Sequence, residues 1–555
     1  MSWKDSFLAG ITVLCCSVPF TLAPAAAQQS PRRVGLKPNQ ISIGDSASRP
    51  LVQPIPHQRE WLPLGYPFLP ESRESTQLAP GLTHTVIVRG MRSDRDGYAV
   101  DIAVLATRKA AKTLVQELIS KGYQPLVETI PRPPDDPRFG PLGYLVRAGF
   151  FASQSEATDL RNQLTRDGYS GIQVVYTGED GRTTTGPWVV NVLEIDPAQF
   201  QGKLAPALAT GIIPGRKPLT SIAAQTHALA AVNGGYFVIE PTNGTPGASA
   251  GISVIDGTLV REAVNGRTSL ILSSPSGTDA RIDALTSVET ATATDGTTHV
   301  VNGLNRKPGL IRACGGVTGE VATVLDETIP YTQPKHDFTC TNPSELIEFT
   351  PAFGQTSETA AGAEFVLDPS GQVIEQREQC GGQIPDSGSV LCGTGDVVEW
   401  LHDHAQIGAK IDITTDVLAN GKPLSLTAPL GVINGGPRLL RDGVPEITAE
   451  AEGFDWPEDA VFYYRFGVRR NPRTLAGITP DRKLLLVTVD GRQPGYSAGA
   501  SFKESAKIMQ SLGALNAVNL DGGGSTTIVV NGQLLNRPSD TTGERPIGNA
   551  IIIRP

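Results

Sequence analysis

The sequence predicts an α+β chain: a domain of mixed sheets interrupted by a smaller βαββαβ unit of ferredoxin/RNP-like type. Three observations predict it. Short β-branched runs punctuated by glycine recur from Gly186 to the C-terminus, among them "PWVVNVLEID", "KIDITTDVL" and "KLLLVTVDG". A strand–helix–strand pattern occurs twice between residues 98 and 175. Glycine (60) and proline (43) are abundant while aromatics make up only 6%, which favours turns and short strands over long helices. At 555 residues the chain also exceeds what one core ordinarily serves.

The elements follow in order. An apolar stretch from Phe7 to Leu22 ends in Ala25–Ala27, small residues that suit a signal peptidase, so residues 1–27 are expected to be a cleaved signal peptide. The protein is then periplasmic or secreted, and no later run is apolar enough to leave a membrane span after cleavage. Residues 28–75, rich in proline, serine and arginine, are expected to be a linker. Residues 76–95 supply a first strand, in which Thr83, Thr85, Ile87 and Arg89 alternate with His84, Val86 and Val88.

The duplicated unit spans 96–178. "YAVDIAVLATRKAAKTLVQELISKGYQPLVETI" is echoed by "YLVRAGFFASQSEATDLRNQLTRDGYSGIQVV". The first helix carries Ala111, Leu114, Val115 and Leu118 on one stripe, the second Ala157, Leu160 and Leu164. Ser153 and Glu156 predict a capping box, and Gly122 and Gly168 the two helix stops. Residues 183–555 form the large domain, where "SFKESAKIMQSLG" reads as a capped helix among strands.

Leader removal takes Cys15 and Cys16 and leaves Cys314, Cys340, Cys380 and Cys392. An even number in an oxidising compartment predicts two disulfides. Three connectivities exist, and pairing of sequence neighbours is the expectation. No spacing is CxxC, and "VVEWLHDHAQIG" sets His402 and His404 on a helix that separates them, so no metal site is predicted.

The net charge of -9 excludes a basic footprint for nucleic acid. Chemistry is signalled instead by one motif in three copies. Asn233-Gly234-Gly235, Asn434-Gly435-Gly436 and Asp521-Gly522-Gly523-Gly524 each follow an apolar run. One such pair is an ordinary hairpin turn. Three at the ends of neighbouring strands would expose peptide N–H groups around one cleft, an anion nest. Ser525 opens a strand without the lysine a phosphate-binding P-loop needs. A Ser–His–Asp role for it lacks the nucleophile elbow. Arg473 in "RNPRTLAG" suits bidentate grip of a phosphate better than Arg470, and Arg492 in "VTVDGRQ" is a second candidate. Asp490 and Asp521 are the two acids at strand ends, with Asp521 the preferred nucleophile or base.

Together, "HALAAVNGGYF", "FTPAFGQTSET", "VINGGPRLLRDG", "NPRTLAG", "LLLVTVDGR" and "NLDGGGSTTIVVNGQLLNRPSD…ERPIGNAI" resemble the phosphodiester glycosidase family, over roughly 76–95 and 183–555. The resemblance implies hydrolysis of a sugar-1-phosphodiester of the GlcNAc-1-phosphate type. It places Asn233, Gly234, Arg473, Asp490, Asp521, Gly522, Gly523 and Ser525 at the site, with Thr356 and Arg545 joining them. No cofactor is implied, although a divalent cation supporting the phosphate is compatible with these residues. The duplicated unit resembles a SPOR domain on "VRAGFFASQSEAT" and "DGY", which implies peptidoglycan glycan strands as a second partner beside a phosphate-linked glycan substrate. The segment 302–350, with Cys314 and Cys340 inside it, is longer than the family pattern suggests.

Overall fold

The computed structural model of the protein describes residues 61–273, 279–315, 319–324, 327–330, 333–456 and 459–555. The expected signal peptide, and the linker as far as residue 60, lie outside them.

The remainder of the linker expected over 28–75 is not a tether. β1 (Glu71–Ala79) pairs antiparallel with β2 (Leu82–Arg89). Ahead of it, Leu62, Leu64 and Leu69 are buried in the main core. Arg89 explains why: its buried guanidinium donates to the carbonyls of Leu64 at 2.8 Å and Tyr66 at 2.7 Å and pairs with Glu71. A guanidinium has donors to place and cannot be left unpartnered in a core, so it pins the incoming chain. The first strand expected over 76–95 is the hairpin's second arm and part of its first.

The inserted unit runs β3 (Tyr98–Leu105), α1 (Arg108–Ser120), β4 (Pro125–Ile130), β5 (Gly143–Phe151), α2 (Gln154–Arg166) and β6 (Gln173–Tyr176). Its strands form one antiparallel sheet in the order β4-β5-β3-β6. Ser153 and Glu156 form the expected capping box, and Gly122 and Gly168 end the helices at φ 86° and 95°. Ala111, Leu118, Ala157 and Leu164 pack on Val100, Val146 and Ala148.

The unit is fused to the large domain rather than appended. Leu142 and Leu145 lie in the same buried cluster as Trp188, Leu475 and Val487. Arg147 Nε donates to Asp101 at 2.9 Å, and Nη2 donates to Asp180 at 3.3 Å and to Tyr464 Oη at 3.1 Å. Arg469 binds Asp180 from the other side and Glu179 at 3.2 Å.

Beyond the insertion, β7 (Trp188–Ile195) joins β2 to an antiparallel sheet that continues through Leu484–Val489, Arg473–Ile478, Asn516–Asn519 and Arg438–Arg441. The helix Phe502–Ser511, capped by Ser501 and Glu504, covers one face with Phe502, Ala506, Ile508 and Met509. On the other face Leu193, Leu484, Leu486 and Val518 meet a second sheet, which holds β8 (Lys203–Leu208), β9 (Ala230–Asn233) and the strands Ile528–Val530 and Asn549–Arg554. With both faces covered, Leu484–Val489 is apolar at nearly every position and buried throughout. Two further sheets, of eight and five strands among the described residues, extend from this centre. Cys314 bonds Cys340 and Cys380 bonds Cys392, the neighbour pairing expected. Among the described residues no helix is long and apolar enough to cross a membrane.

Candidate active site

Sheet register brings the acid and the guanidinium together. Leu475 pairs with Asn519 across the main sheet. The ladder continues past the strand ends, with Leu520 N donating to Thr474 O at 2.8 Å and Gly523 N to Pro472 O at 2.9 Å. Two residues along from the Leu475–Asn519 pair, Arg473 therefore stands opposite Asp521.

Each glycine after Asp521 has its own reason. A Cβ on Gly522 would stand 2.8 Å from the Pro472 carbonyl. Gly523 has φ 59°, and a Cβ there would press on the Arg492 guanidinium at 3.3 Å. A Cβ on Gly524 would overlap the Arg545–Asp540 ion pair that lies across it. The motif answers close approach by two arginines more than a need to turn. It is also a narrower anion nest than the sequence suggests, because the Gly523 N–H is engaged by Pro472.

Asp521, Gly522 and Gly523 open onto a cavity of about 390 Å³ that also receives Arg473, Arg492 and Arg545. Arg473 is buried; its Nε donates to the Ala500 carbonyl at 2.9 Å and its guanidinium lies 4.5 Å over the Phe502 ring. Among the described residues no carboxylate lies within ion-pair distance of it. Burial, reinforced by Arg492, pulls it down to about 10, so it gains from an anion that enters. Arg492 is held by Asn471 Oδ1, which accepts from Nε at 3.2 Å and Nη2 at 3.0 Å. Burial also lowers it. Arg545 is fixed by Asp540 at 2.8 Å and 3.0 Å.

Burial pushes the Asp521 carboxyl up to about 7, with the adjacent Ser525 hydroxyl and the Arg545 charge offsetting part of the effect. Ser525 Oγ is buried and among the described residues meets no partner in ordinary hydrogen-bond geometry. A carboxyl that holds or releases a proton near neutrality, in one cavity with Arg473 and Arg492, which have no carboxylate within ion-pair distance among the described residues, can move a proton while an anion is bound there.

Several residues expected at the site do other work. The three Asn/Asp-Gly motifs do converge, but two of them are scaffold. Asn233, 1% exposed, donates from Nδ2 to the Asp521 carbonyl at 2.8 Å, and its Oδ1 accepts from the Thr474 hydroxyl and Thr527 N. Gly234 and Gly235 leave room for Asn549 and Asn434, whose atoms a Cβ would overlap. Asn434 clamps the Tyr236 backbone through Tyr236 N at 2.9 Å and Tyr236 O at 3.3 Å. Gly435 lies under Asn519, and the Gly436 carbonyl accepts from the Tyr236 hydroxyl at 2.8 Å. Asp490 is withdrawn from the cavity: it accepts from Asn536 Nδ2 at 3.0 Å, Arg537 N at 3.0 Å and Tyr496 Oη at 3.1 Å. Thr356 is exposed on a loop bridged to Gln383 and does not line the cavity. Arg470, the weaker arginine candidate, is buried against Glu504.

None of the residues of the opposite wall was among those expected at the site. Tyr236, Arg312, His336, Asp337, Phe462 and Phe466 line it. His336 is stacked on Phe454 and tilted against Tyr236, with ring centres 4.2 Å apart in each pair, and its Nδ1 lies 2.8 Å from Arg267 Nη2. Arginine can only donate, so Nδ1 accepts and the ring is neutral, in line with burial driving its pKa far down. Arg312 pairs with Asp337 at the mouth. These residues flank Cys314 and Cys340, so the long segment 302–350 supplies one side of the site. The cysteine pair inside it was the available signal.

The phosphodiester glycosidase family model matches residues 361–554, and the SPOR domain model residues 94–175. The first match is shorter than the resemblance suggested and leaves out Asn233, Gly234, Gly235 and Thr356; it includes Arg473, Arg492, Asp521 and Arg545. The N-acetylglucosamine-1-phosphodiester alpha-N-acetylglucosaminidase of Bos taurus is 28% identical over 199 residues, 34% of this chain and 36% of that protein. The chain's match thus spans about a third of that curated relative's length. A crystal structure from Burkholderia pseudomallei K96243, named as a predicted exported protein, is 34% identical with a TM-score of 0.79, covering 91% of this chain and 99% of that one. A hypothetical protein from Synechocystis shares the fold, with a TM-score of 0.51 at 19% identity, covering 87% of this chain and 76% of its own. The chain carries a phosphodiester glycosidase domain, matched over residues 361–554, and a SPOR domain.

Proposed function

We propose that the protein is an exported hydrolase of sugar-1-phosphodiesters, of the GlcNAc-1-phosphate type, acting on an envelope or extracellular glycan. The observation that carries this reading is the shared cavity of Asp521 with Arg473, Arg492 and Arg545. Asp521 as carboxylate takes a proton from a water that attacks the anomeric carbon. The C1–O bond breaks with its electron pair going to the phosphate oxygen, and the hydroxyl stays on the sugar. A phosphomonoester leaves with one more negative charge than it brought. Arg473 and Arg492 balance that charge in a cavity where water screens little, which lowers the need for a separate general acid. Tyr236, Phe462 and Phe466 offer apolar faces to the sugar ring.

The SPOR domain's β3-α1-β4-β5-α2-β6 sheet, ordered as in a ferredoxin-like split βαβ unit, is the proposed contact to peptidoglycan glycan strands. Periplasmic or secreted placement accords with the two disulfides and with the exported description of the Burkholderia protein. A divalent cation at the phosphate is tested by chelation.

The test is incubation with GlcNAc-1-phosphate diesters in isotopically labelled water. Label in the sugar supports the glycosidase. Label in the phosphate means P–O cleavage. No product from any sugar diester means an envelope glycan-binding protein that does not turn over.

A further inference from the structure

We propose that a second crevice, built half from the SPOR domain and half from the large domain, is a saccharide subsite continuous with the Asp521 cavity, and that the substrate's aglycone is an anionic glycan chain. The substrate assignment rests on the hydrolase reading above; the binding assignment does not.

The crevice measures about 360 Å³, close to the volume of the first cavity, and the SPOR side of it presents Tyr98, Gln154, Gln173 and Tyr176. The large domain adds Arg465, Asn471 and Arg492, and these three residues line the Asp521 cavity as well. The two spaces therefore share one wall.

That wall is built for an anion. Arg469 and Arg470 beside it are already matched by Asp180, Glu179 and Glu504. Arg465 and Arg492 are not: among the described residues neither has a carboxylate within ion-pair distance. Arg492 also holds a left-handed backbone, φ 57°, uncommon for a residue with a Cβ. Its guanidinium is aimed by Asn471 and lies against Gly523. Strain of this kind persists where the surroundings fix it, and here they fix a cation between two cavities.

The rest of the lining suits a sugar. Tyr98 and Tyr176 form a tilted pair with ring centres 5.3 Å apart, a surface for the C–H faces of a pyranose. Gln154 and Gln173 are exposed amides able to meet hydroxyls. A lipid aglycone would strip water from these amides and arginines without replacing their hydrogen bonds. A glycan bearing a phosphate or carboxylate one unit beyond the scissile bond matches them.

The experiment compares two substrates on the full chain: methyl GlcNAc-1-phosphate, and GlcNAc-1-phosphate esterified to a phosphorylated disaccharide. Tyr176→Ala and, as a surface change that spares the core, Gln173→Glu are each expected to lower the ratio of extended to methyl kcat/KM about tenfold. An unchanged ratio in both variants overturns the subsite. In parallel, the phosphorylated disaccharide alone is titrated by calorimetry, with about tenfold weaker binding expected in each variant. Wild-type affinity in both, or no binding to the wild type, overturns it independently of turnover. Absence of turnover on both substrates, with the binding loss intact, refutes the hydrolase reading and leaves the saccharide site standing.

Discussion

Asn233 Nδ2 donates to the main-chain carbonyl of Asp521 at 2.8 Å, joining residues 288 apart in sequence. The other end of the same amide accepts from the Thr474 hydroxyl at 2.6 Å and from Thr527 N at 3.1 Å. One side chain thus ties β9 to the strand that carries Arg473 and to the segment that follows the glycines. Asn233→Leu leaves three buried groups without partners and should cost ~2–5 kcal/mol. The expected outcome is a clearly lower Tm, with kcat reduced and KM little changed, read by calorimetry and steady-state kinetics. An unaltered Tm with a raised KM would mean that the side chain touches substrate.

Asp521 links stability to pH. Its carboxyl is raised by burial from 3.8 to about 7. Below pH ~4 the folded and unfolded chains both hold the proton and nothing is lost. From there to about 7 the folded state binds more protons, so stability falls as pH rises, and above 7 the loss is complete. Asp521→Asn removes the penalty. Its Tm should exceed that of the wild type by a few degrees at pH 8 and match it at pH 4, while turnover disappears. In the wild type kcat/KM should rise with pH through a midpoint near 7, as a base requires. A profile that falls through 7 instead would make Asp521 the acid.

Asp490 behaves otherwise. Three donors converge on its carboxylate, from Asn536, Arg537 and Tyr496. An amide replaces one acceptor oxygen with a donor and sets it against one of them. Asp490→Asn should lower stability by ~1–3 kcal/mol and leave kcat per folded molecule within about twofold. Thermal melts paired with activity on the folded fraction decide it; a stable but inactive variant would return Asp490 to the chemistry.

The contrast between these acids explains what the sequence made legible. Register and glycine spacing were readable, because an acid before three glycines at a strand end has few reasons to exist other than close approach. The same pattern does not say which way a side chain faces. Asn233 and Asn434 point into the joints between sheets, and Asp490 into a loop, because those joints leave backbone N–H groups that need acceptors. The helices of the insertion were legible from their period and caps. His336, Arg312 and Phe466 were not, since they reach the cavity from a turn, a two-residue strand and a π-helical segment whose path is set by tertiary packing.

The Cys314–Cys340 disulfide closes a loop with a sequence separation of 26 and stands next to both Arg312 and the His336–Asp337 pair. Its loss should cost activity before it costs the fold. The Cys314→Ala, Cys340→Ala double variant is expected to lower kcat/KM at least tenfold, because one wall of the cavity loses its anchor. The Cys380→Ala, Cys392→Ala pair, whose residues lie outside the cavity, should lower Tm with kcat/KM within about twofold. Equal loss of activity in the two double variants would show that the effect is global.

The SPOR domain should not melt by itself. Arg147 is buried between Asp101 and Asp180, and Asp180 is shared with Arg469 of the large domain. Arg147→Met leaves two carboxylates facing each other in a poorly hydrated joint, a change that costs ~3–5 kcal/mol. Because Leu142 and Leu145 sit in the same apolar cluster as Trp188 and Leu475, that loss cannot be confined to the insertion. Calorimetry of Arg147→Met should record one transition moved to lower temperature, and excision of residues 96–178 should yield no soluble folded protein. Two separated transitions, or a stable excised chain, would make the insertion an independent module and would remove the structural basis for a crevice shared between the two parts.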